Sequence, residues 1–83
     1  MSNEHLKIWS TIDTIAANNG LSVSALAKRS GLDATAFNKS KRTYPTGKRR
    51  WPSTESIAKI VRTMNMDWHD FVDYMEKIEK TPK

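Results

Sequence analysis

The 83-residue chain contains no cysteine, which removes disulfide staples, thiolate zinc sites and cysteine nucleophiles in one step. Its fold has to rest on apolar packing. The only glycines, Gly20, Gly31 and Gly47, stand too far apart to build a glycine-rich phosphate loop. Histidine is as sparse, with His5 and His69 alone. His69 lies among Asp67, Asp70 and Asp73, but adjacent residues on a helix do not face one another, so no metal-ligand convergence is expected and the cluster reads as a solvated surface. A run of about 18 apolar residues, enough to span a membrane, is missing, and Met1 to Lys7 is too polar for a signal peptide. These absences predict a cytoplasmic, non-catalytic chain without metal or cofactor. At this length it is one domain over residues 1–83, with a single modest core.

What the chain does have is positive charge in one place. Its net charge is +5, yet the segment 28–50 alone carries +7, from Lys28, Arg29, Lys39, Lys41, Arg42, Lys48, Arg49 and Arg50 against Asp33; the rest of the chain sums to −2. Cations concentrated in this way make a directed electrostatic face, for which nucleic acid is the leading partner and an anionic membrane the second.

Hydrophobic spacing predicts five helices. Ile8, Trp9, Ile12, Ile15 and Ala16 fall on one stripe of a first helix over 5–19, which Gly20 can stop. Ser22 is placed to cap a short second helix over Val23 to Arg29 or Ser30, closed by Gly31. Asp33 is placed to cap a third over 34–40, whose one large apolar residue is Phe37. Residues 41–52, KRTYPTGKRRWP, read as a loop. Twelve residues is long against the usual 2 to 8 or so between packed helices, and Tyr44 and Trp51 are expected to pin it to the domain. Ser53 opens a fourth helix with the stripe Ile57, Ile60, Val61 and Met64. Asp67 and Asp70 form a capping box for a fifth, with the apolar face Trp68, Phe71, Val72, Met75 and Ile78. Trp9 and Trp68 are expected in the core.

Two short helices around a glycine turn are what a helix-turn-helix requires. Ala27 is small enough for a close crossing, Gly31 permits the turn, Leu32 fills the space beneath it, and Leu26 and Phe37 tie both helices to the core. The stretch SVSALAKRSGLDATAFNKSKR, residues 22–42, resembles the helix-turn-helix of phage-repressor-like regulators. Over roughly residues 8–64 the chain is similar to the N-terminal domain of bacterial repressors related to LexA and phage CI, which usually continue into a self-cleaving serine-lysine peptidase. That resemblance implies an all-α, lambda-repressor-like five-helix domain with its helix-turn-helix at the second and third helices. It also implies a palindromic double-stranded operator, bound by a homodimer at the nucleoid. The peptidase half has no counterpart in these 83 residues. Ser40 departs from the apolar residue common at its position, and loop 41–52 is longer than the turn of simpler phage repressors.

On this reading Asn38 can pair bidentately with adenine, Lys39 can donate to guanine, Thr35 can meet a thymine methyl and Ala34 can make an apolar contact. Lys28, Arg29, Lys41, Arg42, Lys48, Arg49 and Arg50 are cast as phosphate holders, with Ser22 and Ser24 beside a helix start. Arg49 or Arg50 can alternatively enter a minor groove. Phe71, Met75 and Ile78 are candidate dimer contacts, since the fifth helix carries more large apolar residues than a small core absorbs. Two other functions compete: a protein-interaction module using that helix, and a nonspecific nucleic-acid binder. Single-stranded RNA modules are disfavoured, because their aromatic strand signatures and GXXG loop are missing.

Overall fold

A computed structural model describes the backbone of residues 3–80 and the side chains of residues 3–77. Among these residues the chain is all-helical and forms four α-helices: α1 (Glu4–Asn18), α2 (Val23–Arg29), α3 (Thr54–Thr63) and α4 (Trp68–Lys80), with one 3-10 turn at Lys39–Lys41. None of these helices is long and apolar enough to cross a membrane.

The starts of the last three helices follow from short polar side chains. Ser22 Oγ accepts from the Ala25 amide at 3.1 Å and Ser53 Oγ from the Ser56 amide at 3.0 Å. Asp67 and Asp70 cap α4 reciprocally, each carboxylate accepting from the other's amide at 2.9 and 3.1 Å. Such caps satisfy donors that no helical carbonyl can reach.

The ends of α1, α2 and α3 share one device. Gly20, Gly31 and Asn65 take positive φ. The next residue then returns its amide to the helix: Leu21 to Ala16, Leu32 to Ala27, and Met66 to Val61, all at 2.8–2.9 Å. This is the Schellman closure. Each time the returning residue is apolar and packs against the core.

That core is one cluster. Trp9, Ile12, Ile15 and Ala16 of α1 meet Leu26 and Ala27 of α2, Phe37, then Ile57, Ile60 and Val61 of α3 and Phe71 of α4, all buried. Thr11 is buried with them, and its hydroxyl donates to the Lys7 carbonyl at 2.8 Å, so it costs no unpaired polar group.

Three expectations need correction. The segment expected as a third helix over 34–40 is not α-helical. Its amides bond three residues back rather than four: Ala36 to Asp33, Asn38 to Thr35, Lys41 to Asn38 and Arg42 to Lys39. Asn38 itself is extended at ψ 150°, which splits the run into a turn and the 3-10 helix. α2 is just as short but has two buried anchors, Leu26 and Ala27; with Phe37 as the single buried anchor here, tertiary packing does not make up the cost of nucleating a seven-residue helix.

Trp68 is the second correction: it is half exposed rather than core. At 100° per residue it sits about 60° round the helix from Phe71, and Val72 about 100°. Phe71, Tyr74 and Met75 take the inward arc, leaving Trp68 and Val72 on its flank. Phe71 is the third. It is buried in its own core and is therefore no dimer contact, while Met75 is half-buried against the same cluster. The Ile78 side chain lies outside the described residues.

Candidate nucleic-acid interface

Loop 41–52 is more ordered than its composition suggested. Arg42 and Arg50 close its base, with the Arg50 amide donating to the Arg42 carbonyl at 3.0 Å, and Thr43 pairs with Arg49 in an isolated antiparallel bridge. Farther out, the Tyr44 amide donates to Lys48 and the Gly47 amide to Tyr44, both at 2.8 Å. Pro45 supplies the fixed φ at the second turn position, and Gly47, at φ 89°, takes the left-handed position that follows. The segment is a tight hairpin of the three-residue kind. Pro45 and Gly47, two residues apart between the paired arms, are the signal that identifies it.

α1 holds this hairpin by three side chains. His5 Nε2 donates to the carbonyls of both Arg42 and Arg50, at 3.1 and 2.9 Å, and the Trp9 indole donates to Arg50 at 3.0 Å. The His5 ring also meets Trp51 edge to face, 5.3 Å between centroids. Trp51 thus serves as an anchor, but one half exposed to solvent.

The third side chain is Asp13, and its partner overturns one assignment. Arg42, expected on phosphate, turns inward: its side chain is 13% exposed and grips Asp13 with two parallel bonds of 3.0 and 2.7 Å. It also donates to the Phe37 carbonyl at 2.8 Å and lies 4.7 Å from the centre of the Trp9 ring. With both terminal nitrogens on carboxylate and carbonyl and its plane beside the ring, while its buried Nε has no partner, this guanidinium is a structural clasp. It ties the 34–42 segment to α1.

The other seven cations of the segment remain outside. Lys28, Arg29, Lys39, Lys41, Lys48, Arg49 and Arg50 are all exposed, and among the described residues none forms an ion pair. Alternation along the returning hairpin arm sends Lys48 and Arg50 to one side and Arg49 to the other. Arg50 sits 5.8 Å from the Tyr44 ring centre.

The expected base-reading residues cluster on the turn segment. Ala34 and Asn38 are half-buried and Thr35 and Lys39 exposed. Thr35 is engaged locally: its hydroxyl donates to Asp33 Oδ1 at 2.6 Å and its amide to the same atom at 2.8 Å. The Thr35 hydroxyl first, then its amide and the nearby charge of Lys41, hold the Asp33 carboxyl below the usual aspartate range. Asn38 makes no side-chain cap and keeps its amide available. Of the two serines near the start of α2, Ser22 is exposed and has its oxygen engaged in the cap, while Ser24 is half-buried.

No family model, curated protein or solved structure matches this chain.

Proposed function

We propose that this domain binds double-stranded DNA and reads its sequence, as the DNA-binding head of a bacterial or phage repressor acting at the nucleoid. The observation that carries the proposal is the set of seven exposed, unpaired cations between Lys28 and Arg50. Cations that form no ion pair among the described residues attract a polyanion, and the release of its counterions drives binding. α2 and the turn at Gly31 form the first half of the helix-turn-helix. The second half is the short segment 34–41, which enters the major groove as two tight turns in place of a full recognition helix.

Within that scheme Asn38 and Lys39 read base edges, Thr35 offers its methyl, and Ala34 packs against the groove wall. Lys28, Arg29, Lys41, Lys48, Arg49 and Arg50 hold phosphates and set the register. The hairpin delivers its three cations as one rigid unit. We read the domain as non-catalytic, since His5 is committed to the hairpin and His69 is exposed on α4. Two copies on inverted half-sites would meet through residues other than Phe71.

The test is selection from a randomised duplex library, followed by titration of the recovered site at two salt concentrations. Enrichment of a common site is the expected result, with log affinity falling against log salt at a slope near −4 to −5 if about five phosphates are engaged. Salt-sensitive binding without enrichment would replace this reading with nonspecific nucleic-acid binding. No binding at low salt would move attention to a protein partner at Trp68 and Val72, the exposed apolar pair of α4.

A further inference from the structure

Between the hairpin and the start of α3 lies a cleft of about 270 Å³. Trp9 and Phe37 lie beneath it, almost wholly buried at 3% and 1% exposure. Its rim is of another kind. Tyr44 and Trp51 stand there half exposed, at 47% and 50%, beside the cations Lys41 and Arg50.

From this combination we propose that the cleft binds one nucleotide lying outside the base-pair stack, at a strand end, a gap or an opened pair. Its base stacks on the exposed aromatic rim and its phosphate meets Lys41 or Arg50. The volume lies just under the range of about 300–1,000 Å³ that houses drug-sized ligands, room for one planar base with its phosphate at the rim. Planar rings beside cations on a groove are how single-stranded nucleic acid is held without sequence preference. An acidic peptide would satisfy the cations but would leave the aromatic rim without a flat partner. The inference rests on nucleic acid being the ligand of the basic segment, and it is independent of whether duplex sequence is read.

The geometry also explains why two large aromatic side chains remain uncovered. Trp51 meets the His5 ring edge to face and stands beside Pro52, with half of its surface open to solvent. Tyr44 is held at the turn by two backbone bonds and faces the guanidinium of Arg50.

The experiment compares a blunt duplex, the same duplex with a three-nucleotide thymidine tail, and a free eight-nucleotide oligothymidylate, by anisotropy and by quenching of tryptophan fluorescence. The full chain is used, with Trp51→Leu, Trp51→Phe and Tyr44→Leu beside it. The expected result is tighter binding of the tailed duplex, with quenching. Trp51→Leu should remove the difference between tailed and blunt duplex, a loss of about 5- to 150-fold, and Trp51→Phe should restore part of that difference. Equal binding of blunt and tailed duplexes, unaffected by these substitutions, overturns the cleft proposal and leaves duplex reading standing. Oligothymidylate bound with quenching and blunt duplex ignored would support the cleft and overturn duplex reading; no binding of any probe overturns both. Should Trp51→Leu fail to fold, Tyr44→Leu and the wild-type comparison of tailed with blunt duplex decide the matter.

Discussion

Replacing Arg42 by alanine separates a structural role from a phosphate-binding one. The substitution removes the paired bonds to Asp13, the bond to the Phe37 carbonyl and the contact with the Trp9 ring. Breaking a fully buried pair costs about 3–5 kcal/mol, chiefly because the abandoned charge stays buried. Here the abandoned group is Asp13, whose side chain is 40% exposed and can recover water, so the pair falls between an exposed and a buried one, at about 1–2 kcal/mol. The Phe37 carbonyl and the Trp9 face each lose a charge-assisted partner, adding about 1–2 kcal/mol. The balance is about 3 kcal/mol, or roughly 12–24 °C in Tm for a domain of this size. Thermal and urea unfolding measure it. Arg42→Lys should recover less than half, since an ammonium cannot reproduce the planar double bond to carboxylate. In DNA titrations below the lowered Tm, the salt slope should remain that of the wild type. A Tm within about 3 °C of wild type together with a salt slope reduced by about 0.9 would refute the clasp and return Arg42 to the phosphate holders.

Other substitutions test the remaining assignments. Asn38→Ala should cost about 1–3 kcal/mol of discrimination at one base pair, whereas Arg49→Ala should weaken all duplexes alike; competition binding against single-base variants of the selected site distinguishes them. Ser30, the closing residue of α2, is buried with its hydroxyl unpartnered, so Ser30→Ala should leave stability unchanged or raise it by about 1 kcal/mol in urea unfolding. Gly31→Ala meets no neighbouring atom and is strained only by its φ of 78°, which sets its cost at about 1–2 kcal/mol; a cost above 4 would mean that the turn is packed more tightly than described. Because the Asp33 carboxyl is held below its ordinary range, its contribution is complete above about pH 4, the unfolded value, and is lost as pH falls through the lower folded value. An NMR titration of its side chain should give a midpoint below that of an unstructured aspartate, and Thr35→Val should move the midpoint upward.

Much of this fold was legible in the sequence because it is local. The span of α2, the α1 stripe through Trp9, Ile12 and Ile15, the Ser22 and Ser53 caps and the Asp67–Asp70 box all depend on residues within four positions of one another. Where two local structures share one signal, the reading failed. An aspartate ahead of Thr35 starts a helix or a closed turn equally well, and the choice at 34–40 fell to the number of buried anchors, which was one. Long-range partners were invisible for a different reason. Arg42 and Asp13 are 29 positions apart and His5 lies 45 from Arg50; no periodicity connects them, so Arg42 looked like its exposed neighbours. At the candidate site the cationic segment was legible from composition alone, while the hairpin and the cleft beneath it required the chain to be folded back on α1.

That fold-back ties the cationic hairpin to the start of α1. The Arg42 and Arg50 carbonyls at the foot of the hairpin accept from His5 and Trp9, which lie in the first two turns of α1. The ends of helices open more readily than their middles, so warming should release the His5 bonds first, while Trp9 stays packed with Ile12 and Ile15. With His5 gone, only Trp9 and the Arg42–Asp13 pair hold the hairpin foot, and Lys48, Arg49 and Arg50 should gain freedom that a polyanion has to remove on binding. Affinity should therefore decline over a range of temperature in which helical content is still full, making the start of α1 a thermal governor of a surface in which it takes no part.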